Sequence, residues 1–199
     1  MADMLYLVRH AAPPVNSRNR FWGKADPGVD AADLSGVSAL VALFPRKPDV
    51  VVSSPVRRAF ATAEVLAGAM DMAVATDPQL AEVDFGLFDG LNFTEAAARY
   101  PAEAERWSEF GDQYVFPEGE STADFLVRAD QAWRRWIDCR EEEALIVSHA
   151  GVLSVWMCLF LGLPPERRFL FRPAYSSLTA FRRKRDGSGW DLAFFNNRI

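Results

Sequence analysis

The chain has only two histidines, His10 and His149, and only two cysteines, Cys139 and Cys158. Neither pair has metal-ligand spacing, and the carboxylates are scattered without a helical i, i+4 ligand pair, so no metal is expected. Cys158 lies in an apolar helical stretch, where a reduced, buried thiol is the usual state. That fits a reducing, cytoplasmic compartment. The sequence lacks a Walker A loop and a Gly-x-Gly-x-x-Gly turn, which removes the backbone cradles of nucleotide-binding proteins. It also lacks the Gly-x-Ser-x-Gly elbow of a serine hydrolase. The longest apolar run, Gly151 to Leu163, ends at Pro164-Pro165 and is too short for a membrane span. Met-Ala-Asp at the start carries no basic region, so no signal peptide is expected. A net charge of −5 gives the whole molecule no electrostatic footprint for nucleic acid. Internal repeats and low-complexity tracts are absent as well.

What is present suffices for a sizeable core. The 199 residues are 50% hydrophobic and 13% aromatic, with six tryptophans. This composition predicts one domain, residues 1–199, that folds without disulfide or metal staples. Leu5–Val8, Val50–Ser53, Met72–Thr76 and Ala144–Val147 read as strands, the second continuous in Val as a strand covered on both faces would be. Weaker extended structure is expected near Leu80–Val83. Helices are expected over Leu34–Phe44, from a Ser54-Pro55 start to about Met70, over Phe93–Tyr100 and over Ala102–Phe110. Another, capped by Ser121, should run to about Cys139 with Phe125, Ala129, Ala132, Trp133 and Trp136 on its apolar face. His149-Ala150-Gly151 opens a strongly apolar helix, and Ser177–Arg183 with Trp190–Phe195 form a terminal hairpin around Asp186-Gly187. The order of elements predicts an α/β fold: a three-layer α/β/α sandwich with a mixed, mainly parallel central sheet.

The residues that carry chemistry gather at strand ends. Arg9-His10 closes the first apolar run and His149 follows another, and the carboxyl ends of strands are where ligands bind in open α/β sheets. Arg57-Arg58 stands at a helix start, the unfavourable end for a cation, which points to a functional role for one of the two. Glu82 is the candidate acid, although spacing alone does not separate it from Asp84 and Asp89. Two arginines and two imidazoles around one pocket suit a phosphate group. A neutral imidazole is a competent nucleophile toward phosphorus, and a nearby carboxyl can protonate the leaving oxygen. Arg182-Arg183-Lys184-Arg185 and Glu141-Glu142-Glu143 read as solvated connections.

Taken together, these segments resemble the histidine phosphatase superfamily, the phosphoglycerate mutase-like proteins, in order along nearly the whole chain. Leu7-Val8-Arg9-His10 resembles the family's Arg-His-Gly motif, with Asn16 at its downstream Asn. Asn19-Arg20-Phe21-Trp22-Gly23 and Asp26 are similar to its substrate-side loop. Ser53-Ser54-Pro55-Val56-Arg57-Arg58-Ala59 with Thr62-Ala63-Glu64 matches its Ser-Ser-Pro-x-x-Arg-Ala and Thr-Ala-Glu block, which selects Arg58. Leu80-Ala81-Glu82 with Phe85-Gly86 and Gly90 resembles the proton-donor segment, which selects Glu82. Gly119-Glu120-Ser121 with Asp124 and Arg128 matches a helix-start block, and Val147-Ser148-His149-Ala150-Gly151 the second-histidine motif.

The resemblance implies a phosphoglycerate mutase-like fold and metal-independent, cofactor-free phosphoryl transfer. His10 would carry the phosphoryl group, Arg9, Arg58 and His149 would hold its oxygens, and Glu82 would act as acid and then base. The pocket arginines should keep His10 neutral. Asn16, Arg20, Phe21, Trp22, Gly23 and Ala150 are the expected substrate contacts, with a small phosphorylated metabolite as partner. Phe21, Trp22, Phe88 and Tyr114 are candidates for an apolar wall.

The sequence departs from the family pattern at several positions. Ala11 replaces the usual Gly and should narrow the phosphate cradle. Pro13 replaces a common Thr, Ala150 a frequent Gly, and Tyr175 occupies a region where an Asn is often found. The leading reading is a histidine acid phosphatase-type phosphomonoesterase. The alternatives are a cofactor-dependent phosphoglycerate mutase, for which 199 residues look short, and a non-catalytic phospholigand-binding module.

Overall fold

A computed structural model describes residues 2–198, apart from the side chains of Phe110 and Asp112. The strands are β1 (Met4–Arg9), β2 (Val50–Ser53), β3 (Val74–Thr76), β4 (Glu143–Ser148), β5 (Leu178–Arg183) and β6 (Trp190–Asn197). They form one sheet in the order β3-β2-β4-β1-β5-β6. The first four are parallel, whereas β5 runs antiparallel to β1 and β6 antiparallel to β5.

The helices are α1 (Ala31–Gly36), α2 (Arg57–Ala69), α3 (Phe93–Arg99), α4 (Pro101–Phe110), α5 (Thr122–Ile137) and α6 (Ala150–Phe160). Alternate residues of β1 feed two cores. Leu5 and Leu7 pack with Phe125, Ala129 and Ala132 of α5 and with the apolar residues of α6. Tyr6 and Val8 pack on the other face with Ala59, Ala63, Leu66 and Ala67 of α2. Helices on both faces make the three-layer sandwich, and they explain why the central strands read as unbroken apolar runs. A third, mostly aromatic cluster, Phe88, Ala96, Ala104, Tyr114 and Phe116, forms in the long crossover between β3 and α5. Among the described residues, no helix is long and apolar enough to cross a membrane.

Three local expectations need correction. The helix expected over Leu34–Phe44 begins earlier, where the Asp30 carboxylate accepts the N–H groups of Ala32 and Asp33. It tightens to a 3-10 helix over Val37–Leu43. Gly36 weakens the helix at the change, and the Ser35 and Ser38 hydroxyls donate back to the carbonyls of Ala32 and Ser35. The α2 helix starts at Arg57 with Val56 as its cap residue, not at Ser54. Near Leu80–Val83 there is no strand: Asp77 caps a 3-10 turn over Pro78–Leu80, and irregular chain follows.

Candidate active site

The pairing of β1 with β4 sets Arg9 opposite Ser148, so His10 and His149 leave the sheet side by side. Their ring centroids lie 5.0 Å apart. On the other side of β4, Ser53 pairs with Val147, which brings Ser54 under His149. The parallel register alone therefore assembles the two histidines and the segment that leads to Arg58.

His10 is 4% exposed. Its Nδ1 lies 2.7 Å from the Ala11 carbonyl oxygen. A carbonyl can only accept, so Nδ1 carries the proton and Nε2 keeps its lone pair. Burial holds this imidazole well below the usual histidine range, and the charges of Arg9 and Arg58 push it the same way. The sequence reading gave that role to the arginines, but desolvation is the larger cause.

His149 is fully buried and lowered by burial, then by Arg58, His10 and Arg9. Its Nε2 is 2.8 Å from the Ser54 hydroxyl, which already accepts the Val56 N–H at 3.2 Å. The arrangement that uses every group has Ser54 donating to Nε2, which leaves Nδ1–H as a donor. Among the described residues that Nδ1 has no partner, and neither does Nε of Arg9 or Arg58, all three buried. Buried donors without partners are rare. Three of them on mutually interacting cationic or imidazole groups make a site shaped for an anion.

Arg58 is 1% exposed. Its guanidinium donates to the carbonyls of Trp22 (2.5 Å), Gly23 (3.2 Å) and Ala25 (3.2 Å), while its N–H donates to Asp26 (2.9 Å). Thr62, one turn along α2, accepts the Ala11 N–H at 2.9 Å and donates to the Arg58 carbonyl at 2.8 Å. Arg9 donates to the Pro173 carbonyl at 2.8 Å and stacks 3.6 Å from the Tyr175 ring centroid. Tyr175 thus covers both Arg9 and His10, the latter at 5.5 Å.

The Glu82 carboxylate accepts the N–H of Gly151 (3.0 Å) and of Val83 (3.1 Å). A Cβ on Gly151 would sit 2.2 Å from Glu82 Oε1, so a side chain at 151 would push this carboxylate from its place at the first turn of α6. The Glu82 segment is held from behind by Arg128, which donates to the carbonyls of Gln79 (2.9 Å), Ala81 (2.8 Å) and Glu82 (3.2 Å). Arg128 also pairs with Glu120 at 2.6 Å.

Arg9 and Glu82 open onto a pocket of about 410 Å³. Phe21, Phe85, Trp107, Phe116, Phe125, Phe169 and Phe171 line it, together with Ala150 and Gly151. Among the expected substrate contacts, Phe21 and Ala150 do line this pocket. Trp22 and Gly23 instead present their carbonyls to Arg58.

Asn16 and Arg20 do not reach the pocket. Asn16 is exposed in a 3-10 turn over Val15–Ser17, and Arg20 is clamped by the Glu95 carboxylate and the Gly90 carbonyl. Phe88 and Tyr114 are buried behind the wall rather than in it. The Ala11 methyl packs into the apolar cluster beneath the loop, so the cradle narrowing expected from it does not follow. Sequence reasoning missed Ser54, which it assigned to a helix cap, and the supporting roles of Thr62, Arg128 and Gly151. For Thr62 the signal was present, since it stands four residues after Arg58 on one helix face.

The family model of the histidine phosphatase superfamily (branch 1) matches residues 5–198. The bifunctional protein Rv2228c of Mycobacterium tuberculosis is 34% identical over 170 residues, covering 84% of this chain and 46% of that protein. The chain thus spans about half the length of the curated relatives of that group. Phosphoserine phosphatase 1 of Hydrogenobacter thermophilus is 29% identical over 173 residues, 84% of this chain and 80% of that protein. The crystal structure of the alpha-ribazole phosphatase from Shigella flexneri matches with a TM-score of 0.88 at 25% identity, over 98% of this chain and 97% of that one. Fold, strand-end histidines and family match agree: the chain belongs to the histidine phosphatase superfamily.

Proposed function

We propose that the protein is a phosphomonoesterase of the histidine acid phosphatase type. It would hydrolyse a small phosphorylated metabolite in the cytoplasm through a phosphohistidine, without metal or cofactor, with residues 1–199 working as one domain. The observation that carries the reading is the Nδ1–H donation from His10 to the Ala11 carbonyl, which leaves Nε2 as a lone pair in a buried, neutral ring.

In the first step Nε2 attacks phosphorus and the bond to the alcohol oxygen breaks. Glu82, as the carboxylic acid, gives that oxygen its proton. Arg9, Arg58 and the Nδ1–H of His149 take the phosphoryl oxygens, where their unpartnered donors find acceptors. In the second step the Glu82 carboxylate removes a proton from water as it attacks phosphorus. The N–P bond then breaks and inorganic phosphate leaves.

Hydrolysis of an aryl phosphate and of an alkyl phosphate, in chelator, tests this reading. The wild type should turn over both, and His10→Ala should lose at least about 10³-fold in kcat. Glu82→Gln should slow the alkyl ester by roughly 10²-fold or more and the aryl ester much less, because a good leaving group needs little protonation. Full activity in His10→Ala, or equal losses on the two esters in Glu82→Gln, would remove the corresponding role.

A further inference from the structure

We infer that the pocket beside Arg9 and Glu82 takes phosphomonoesters whose alcohol carries an aromatic or comparably bulky apolar group. The inference rests on the phosphomonoesterase reading and goes beyond it by naming a substrate class. Glu82 marks the side on which the alcohol departs, and it lines this pocket together with seven aromatic rings. The alcohol portion of the substrate therefore lies among the rings.

Besides Arg9 and Glu82, the polar side chains of the lining are Thr122, Ser154, Arg168 and Arg172; the Thr122 hydroxyl donates to the Gly111 carbonyl at 3.4 Å and the Arg168 guanidinium lies 4.3 Å from the Phe169 ring centroid. The Ser154 hydroxyl already donates to the Phe171 carbonyl at 3.2 Å, and the Glu82 oxygens accept from the backbone. Substrate hydroxyl groups among the rings would lose water with few replacement partners, which is costly. An aromatic or aliphatic group loses nothing and gains edge and face contacts.

Part of the wall is buried and part of it is exposed. Trp107 and Phe116 pack on the buried rings of Phe88 and Tyr114, with Phe88 to Phe116 at 5.9 Å between centroids. By contrast, Phe169 is 70% exposed and its neighbour Leu170 67%, both in the 3-10 turn Pro165–Leu170. Large apolar side chains exposed at the mouth of an apolar pocket are what a bulky apolar ligand would cover. The competing class is a small acid, whose carboxylate could meet the exposed Arg172 at the rim.

Titration calorimetry with three phosphonates, which cannot be hydrolysed, tests the inference independently of turnover. 4-Phenylbutylphosphonate should bind on the order of 10- to 100-fold more tightly than butylphosphonate, the gain from burying one ring. Equal affinities would overturn the inference, as would tightest binding of 2-amino-4-phosphonobutanoate, an analogue of phosphoserine. Phe169→Asp, at an exposed position, should shrink the phenylbutyl-to-butyl ratio several-fold, and an unchanged ratio would put the ring elsewhere.

The turnover arm compares 3-phenylpropyl phosphate with propyl phosphate, whose alcohols are of similar acidity. The kcat/KM ratio should match the binding ratio. If the binding preference holds while no ester is hydrolysed, the phosphomonoesterase reading fails and the pocket assignment stands.

Discussion

Gly151 shows how closely Glu82 and His149 are coupled at the level of single residues. Its N–H donates to Glu82 at 3.0 Å, and it stands two positions after His149, at the start of α6. An alanine there would place its methyl 2.2 Å from Glu82 Oε1 and 3.2 Å from the Phe125 ring. The helix and Phe125 are fixed by the core, so the carboxylate is the group that must move. Gly151→Ala should therefore lower kcat on alkyl phosphates by roughly 10- to 100-fold, with a smaller effect on aryl phosphates. Parallel losses on both substrates would mean that Gly151 matters for folding or phosphate binding instead.

At the scale of elements, the irregular segment around Glu82 is held by a side chain from α5. Arg128 ties three carbonyls of residues 79–82 to the Glu120 carboxylate, and this network replaces the strand pairing expected there. Arg128→Ala leaves the three carbonyls without their donor and Glu120 with only the Asp84 N–H, at a cost of about 2–4 kcal/mol in unfolding free energy. It should also reduce alkyl-ester turnover more than aryl-ester turnover, since Glu82 loses its backing. Arg128→Lys should not restore either property, because one ammonium cannot serve four acceptors in the guanidinium plane. Denaturant unfolding and the two-substrate assay check these outcomes.

The same element shows what could be read from sequence. The buried strands, α5 with its stripe, α6 and the terminal hairpin were legible because apolar periodicity and turn residues act locally. The convergence of His10, His149, Arg9 and Arg58 was legible because their motifs follow strand ends. Residues whose partners are distant in sequence were not. Arg20 pairs with Glu95 and Ser54 meets His149 across 95 positions, and neither link has a local signature. The loop motif therefore suggested substrate contacts at Asn16 and Arg20, where the fold uses one on the surface and the other as an anchor.

For the whole molecule, two imidazoles held neutral between the layers link stability to pH. Both histidines are lowered well below their ordinary 6.5, burial being the first cause in each. Between 6.5 and the lower folded values, the unfolded chain binds more protons than the folded one. Stability from this source is complete above 6.5 and falls as the pH drops, by up to about 1.4 kcal/mol per histidine per pH unit. Urea unfolding at pH 7.5 and 5.5 should show the loss, and His10→Gln should reduce it. A midpoint that rises on acidification would contradict the buried, neutral state of the pair.

That neutral state is also the basis of the proposed chemistry, which is open to a direct test. A rapid acid-free quench of the enzyme with an aryl phosphate, followed by phosphorus NMR of the denatured protein, reads both the residue and the atom that carries phosphate. The account predicts one acid-labile phosphoryl group per chain, on Nε2 of His10 and absent from His10→Ala. Phosphate on Nδ1, on His149 or on a carboxylate, or turnover with no phosphorylated enzyme at all, would contradict it.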